Sequence, residues 1–191
     1  METIAARHKS MAPVPLVALL VLSMLVIAGG QGSDTYVLPF PTDVGRKVLQ
    51  GYRGPYGHSG VSEFAYDFEM PIGSSVLASR SGEVVHLVEH HRNSTRKPGE
   101  ENVVVIKHVD GTFGRYYHLT TDGVLVTLGE RVAQGQRIAL SGDSGASAGA
   151  HLHFDVTKEC YEYGKCQTVA IQFANVTDNP LNPGAIYGGP R

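Results

Sequence analysis

Residues 149–156 read GAHLHFDV and set two histidines, His151 and His153, two positions apart. In a β-strand such residues point to one face, with Leu152 and Phe154 on the other. Two imidazoles on a buried face need partners, because an unsatisfied buried polar group is costly. A pair of half-exposed strand histidines and a metal site both fit this fragment. Three further residues bear on the choice. His58 lies in GYRGPYGHSG (51–60), a glycine-dense loop able to bring backbone and side chain close to a ligand. His118 closes the segment GRYYHL (114–119) and is predicted to share a face with Tyr116. Asp67 stands in FAYDF among Phe64, Tyr66 and Phe68. Its plain reading is an edge-strand aspartate, but a carboxylate in that company calls for a cation or a donor. Three ligands from histidine and aspartate, with a fourth position open, are the make-up of a catalytic zinc site.

The other histidines need no special chemistry. His86, His90 and His91 read as surface residues on or beside a strand, and His108 as a structural strand end. His8 belongs to the N-terminal leader.

The elements that must position these residues are strands. With 23 glycines and 10 prolines, the apolar residues come in short bursts between turns. EVVHLVEH (83–90), NVVVIKHV (102–109), TFGRYYHL (112–119) and RIALSG (137–142) have strand length and β-branched or aromatic content. Asp110-Gly111 between two of them is a hairpin signal. The fold is therefore expected to be all-β, a mostly antiparallel sheet in a small barrel or sandwich. AIQF (170–173) reads as one more strand, and HHRNSTRKPG (90–99) as an exposed basic loop.

Residues 1–32 stand apart. A short basic flank (Arg7, His8, Lys9) precedes the charge-free run VPLVALLVLSMLVIAGG (14–30), which has the make-up of a signal peptide or an N-terminal membrane anchor. Either sends the rest of the chain across a membrane. Residues 33–56 read as a lead-in that packs on the core through Tyr36, Val37, Leu38, Phe40 and Val48. Cys160 and Cys166 bracket YEYGK, and in an oxidising compartment they are expected to close a small disulfide loop. A formal net charge of −2 argues against a nucleic-acid partner. The small-residue loop SGDSGASAGA (141–150) lacks the lysine and the strand-to-helix setting of a phosphate cradle, and fits better as a narrow groove wall.

From about Tyr52 to Val156 the chain resembles the M23 zinc metallopeptidases of the lysostaphin/LytM type. The likeness is an ordered series: HSG (58–60), YDFEMPIGSSVLASRSGEVV (66–85), NVVVIKHVDG (102–111), YYHL (116–119), and the run from Val124 to Val156 that ends in HLHFDV. Residues 57–191 then form an M23-like metallopeptidase domain with a C-terminal strand extension. The resemblance implies one Zn2+ per chain, held by His58, Asp67 and His153. It implies catalytic roles for His118 and His151 beside the metal and the substrate, with the choice of general base between them open. The usual family spacing is HxxxD, whereas nine positions separate His58 from Asp67; a related branch carries a longer form before a similar AYDF segment. Glu63, inside the insertion, is the reserve ligand. The implied activity is endopeptidase cleavage of peptidoglycan stems or cross-bridges by an exported, monomeric enzyme, periplasmic or secreted, with membrane association through its N-terminus. The alternative is a non-hydrolytic relative that binds cell wall or regulates a separate amidase.

Overall fold

In the computed structural model the described residues are 35–190; the leader lies outside them. Eleven strands and a single 3-10 turn make up the regular structure among these residues. In chain order the strands are β1 (Arg46–Gln50), β2 (Ala65–Glu69), β3 (Ser75–Leu77), β4 (Gly82–Val88), β5 (Val103–Lys107), β6 (Thr112–Tyr117), β7 (Leu119–Val124), β8 (Arg131–Val132), β9 (Arg137–Ser141), β10 (His151–Lys158) and β11 (Ile186–Tyr187). The larger sheet has the order β11-β1-β2-β10-β6-β5-β4-β8, and the smaller one β3-β9-β7. Every strand pairing is antiparallel, as expected of an all-β chain joined by short turns. β5 (Val103–Lys107) and β6 (Thr112–Tyr117) form the hairpin announced by Asp110-Gly111, with Gly111 at φ 83°.

β10 (His151–Lys158) lies between β2 (Ala65–Glu69) and β6, in the interior of the larger sheet. Asp67 is therefore on an interior strand, not an edge. One face of these strands is apolar: Tyr66, Phe68, Tyr116, Leu152, Phe154 and Val156 join the main core with Val104 and Ile106 of β5. Burying each large side chain there contributes roughly 1.5–3 kcal/mol. Tyr36, Leu38, Phe40 and Val48 from the lead-in are buried in the same core.

The other face carries chemistry. The register sets His153 directly opposite Asp67 on β2 and Tyr117 on β6, and sets Asp155 opposite Arg115. A one-residue slip would send this whole set into the core, so the hydrophobic alternation also fixes the polar constellation.

Two further expectations change. AIQF forms no ladder strand; only Phe173 makes an isolated bridge, to Tyr36, while the side chains of Ile171 and Phe173 are buried. His118 and Tyr116 do not share a face. His118 has φ 61°, which ends β6 and breaks the alternation, and Tyr116 turns into the core, where its hydroxyl accepts from the Ser79 N–H at 2.7 Å. The basic loop is exposed, as expected, and is also strapped down. Arg96 and Ser94 bond the Asp143 carboxylate, and the Asn93 side-chain carbonyl accepts from Asp143 N–H.

Candidate metal centre

His58 reaches the sheet from the loop between β1 (Arg46–Gln50) and β2 and is 1% exposed. Its Nδ1 lies 2.8 Å from the Gly51 carbonyl oxygen, which can only accept, so Nδ1 carries the proton. Nε2 is left with a lone pair, 3.2 Å from Asp67 Oδ1. Two acceptors facing each other inside a protein need a second proton or a cation between them. On the other side, His153 Nδ1 lies 2.9 Å from the same Oδ1, and its Nε2 3.1 Å from Asp155 Oδ2. The second carboxylate oxygen of Asp67 accepts from the Gln50 side-chain amide at 2.6 Å.

The electrostatics match this geometry. Burial would raise the Asp67 pKa, but its contacts with the His153 ring first, then the His58 ring, overcome it and hold the carboxyl well below its ordinary range. Burial would lower His153, yet Asp155 and Asp67 push it up to about 9. The cluster is thus built to hold positive charge, and a metal ion can take the place of the protons.

The donor set fits zinc. His58, Asp67 and His153 each offer one ligand atom, all within 4.8 Å of one another and all buried. Ligands about 2.0–2.1 Å from a tetrahedral centre stand about 3.3 Å apart, close to the 3.2 and 2.9 Å that separate Asp67 Oδ1 from His58 Nε2 and His153 Nδ1. Each also has an outer partner: Gly51 for His58, Gln50 for Asp67, Asp155 for His153. Such partners fix the tautomer and aim of a metal ligand. Asp155 is itself locked by Arg115 through Nε at 2.6 Å and Nη2 at 2.8 Å, and both side chains are fully buried.

The two remaining histidines stand beside the trio. His118 Nδ1 donates to the Ser144 carbonyl at 2.7 Å, and His151 Nδ1 donates to the Gly149 carbonyl at 2.8 Å. Both Nε2 atoms are therefore free to accept a proton. The rings are 4.6 Å apart, and His151 Nε2 is 3.8 Å from Asp67 Oδ1. Burial first, then the neighbouring His151 and His153, pushes His118 down to about 3. Glu63 is elsewhere: its carboxylate pairs with Arg53 at 3.0 Å. All five residues singled out by type and spacing thus converge, and the reserve ligand does not.

Sequence reasoning missed Gln50, Arg115 and Asp155. For Asp155 a signal existed, since it follows the His151/His153 alternation onto the same face. The Cys160–Cys166 disulfide is present. Its loop folds back over the sheet, where Arg115 Nη1 donates to the Tyr161 and Glu162 carbonyls at 3.2 and 3.1 Å. Tyr163 on that loop stands edge-on to the His153 ring at 6.4 Å while 54% exposed.

The sequence pattern of the family described as Peptidase family M23 matches residues 61–169, more than half of the chain. The chain belongs to peptidase family M23. The match begins three residues after His58, so the case for that ligand in this M23 chain is the geometry above. The peptidoglycan DD-endopeptidase ShyA of Vibrio cholerae is 42% identical over 90 residues, which are 47% of this chain and 19% of ShyA. Lysostaphin of Staphylococcus simulans is 36% identical over 107 residues, 54% of this chain and 20% of that protein. The matched segment therefore spans about a fifth of the length of these relatives. In structure, the chain is similar to the catalytic domain of the antimicrobial peptidase lysostaphin from S. simulans. The TM-score is 0.50 at 30% identity, covering 64% of this chain and 88% of that domain.

Proposed function

We propose that this chain is an exported zinc-dependent endopeptidase that hydrolyses peptide bonds in peptidoglycan. The observation that carries the reading is the buried trio His58, Asp67 and His153 beside two histidines whose Nε2 atoms are bare. Three relatives from Vibrio cholerae, ShyA, ShyB and ShyC, are named peptidoglycan DD-endopeptidases, which supports the wall peptide as substrate.

His58 Nε2, Asp67 Oδ1 and His153 Nδ1 would hold the ion. A bound Zn2+ supplies Lewis-acid polarisation of the scissile carbonyl and acidifies the attacking water. The chain's own residues do the proton work. His151 Nε2 or His118 Nε2 accepts the proton from the water and returns it to the leaving amine. His151 Nε2 lies 3.8 Å from Asp67 Oδ1, at the edge of the trio. The wall of Ala146, Ser147 and Ala148 offers little side-chain bulk, which suits an extended peptide of small residues. The Cys160–Cys166 bridge and the apolar run 14–30 support an oxidising, extracytoplasmic location, periplasmic or secreted, with the N-terminal segment as a membrane anchor or a cleaved signal. All five site residues come from one chain, so a monomer suffices to build the site.

The test is zinc content and release of soluble fragments from purified peptidoglycan, for the parent protein and for Asp67→Ala. One zinc per parent chain, lost together with cleavage in the variant, is the expected result. Zinc retained by Asp67→Ala removes Asp67 as a ligand. A parent that binds zinc and releases nothing is a wall-binding or regulatory domain instead.

A further inference from the structure

The nine-position step from His58 to Asp67, with eight residues between them, poses a physical problem. In a short HxxxD segment the chain itself holds both ligands together; here the longer segment SGVSEFAY with its 3-10 turn (Gly60–Ser62) intervenes, and the loop carrying His58 must be held by something else. Gln50 is placed to do this.

Val48 on β1 points into the core opposite Phe68, so regular alternation would send Gln50 to the same core face, opposite Tyr66. The register shifts instead, and Gln50 pairs with Asp67. A bulge of this kind re-aims a side chain. It turns the Gln50 amide onto the metal face, where it is 8% exposed. There every group of the amide is engaged. Nε2 donates to Asp67 Oδ2 and to the Tyr56 carbonyl, both at 2.6 Å, and Oε1 accepts from Tyr56 N–H at 3.1 Å. Tyr56 is two residues before His58. The loop closes tightly on the amide: a Cβ at Gly54 would lie 2.6 Å from Gln50 Oε1.

We propose that Gln50 is the positioning residue of the metal centre. It binds both ends of the long interval at once, fixing the loop that delivers His58 and turning Asp67 so that Oδ1 faces both histidines. The amide is suited to this in a way a carboxylate is not, because it donates to Asp67 while also donating to one carbonyl and accepting from one N–H. The inference rests on the metal-site reading above.

The experiment uses the full chain and metal alone, without substrate. Zinc affinity is measured by competition with a chromophoric chelator, and the Co2+-substituted protein is followed by its visible absorption. Gln50→Met keeps the length and loses every hydrogen bond. Gln50→Glu keeps an acceptor for Tyr56 and sets a like charge against Asp67. Both are expected to weaken zinc binding about 10–100-fold, the range for loss of an outer partner of a ligand, and to change the cobalt spectrum. Gly54→Ala, which crowds the amide without altering it, is expected to act in the same direction and less. A Gln50→Met protein with parental zinc affinity and cobalt spectrum overturns the proposal, whatever happens to its melting temperature, because a purely structural role would move only the latter. A parent that binds no zinc overturns the site itself; a parent that binds it, with unaffected variants, overturns only the role of Gln50.

Discussion

His153 and His118 have rings 6.1 Å apart, yet their surroundings push them in opposite directions, up to about 9 and down to about 3. Both are buried, so burial alone does not separate them; it lowers both. The difference is what each ring faces. His153 stands between two carboxylates, Asp67 and Asp155, whereas His118 is tied to a backbone carbonyl and has two other histidines for neighbours. Carboxylate company makes a position that attracts a cation. Carbonyl company makes a neutral ring with a fixed tautomer and a free lone pair. One small site thus divides into a metal-holding half and a neutral half with free lone pairs, using one residue type for both.

That division is broken most directly by truncating the second half. His118→Ala and His151→Ala are each expected to reduce peptidoglycan cleavage about 10²–10⁴-fold, the usual contribution of a positioned acid or base. Zinc content should remain parental in both. Loss of the metal in either variant would mean that the two halves are one, with that histidine a ligand.

The metal-holding half is sharpened from behind, through Arg115 and Asp155. Asp155→Asn keeps the shape and removes the charge facing His153 Nε2, and should weaken zinc binding about 10–100-fold. Arg115→Met leaves Asp155 buried without its partner, a change that costs about 3–5 kcal/mol of stability in such pairs. It also releases the Tyr161 and Glu162 carbonyls, so the disulfide loop should become more exposed to proteolysis. Parental zinc affinity in Asp155→Asn would show that His153 needs no carboxylate to hold its aim.

Much of this was legible in the residues. The alternation of His151, Leu152, His153 and Phe154 marks a strand with a chemical face and a core face. The Asp110-Gly111 turn marks a hairpin, and the cysteine spacing a closed loop. What stayed hidden depends on departures from regular geometry or on contacts across the sheet. Tyr116 and His118 part company because His118 takes a left-handed conformation that two-residue periodicity does not contain. Gln50 reaches Asp67 only through a bulge, and no local pattern in RKVLQG marks one. The Arg115–Asp155 pair is 40 residues apart in sequence and becomes visible only when β6 and β10 are in register. AIQF has the composition of a strand, but its residues bury side chains without joining a ladder.

The two halves also predict opposite pH limbs in the metal-free protein. His153 has a folded pKa near 9 against about 6.5 unfolded, so its contribution is complete below about pH 6.5 and is lost as pH rises toward 9. His118 has a folded pKa near 3, so the unfolded chain takes up its proton first. Stability from that site is present above about pH 6.5 and is lost as pH falls toward 3. Asp67, held low, adds to the acid-side loss below its ordinary pKa near 4. The melting temperature without metal should therefore peak near pH 6.5. Zinc replaces the proton at His153 Nδ1, so the loaded protein should keep its stability between pH 6.5 and 9, where the metal-free protein declines by on the order of 2 kcal/mol. Thermal unfolding across pH 5–9, with and without a chelator, reads both limbs. Parallel curves would mean that His153 carries no proton for zinc to replace, and that the opposed electrostatics of the two histidines do not govern the site.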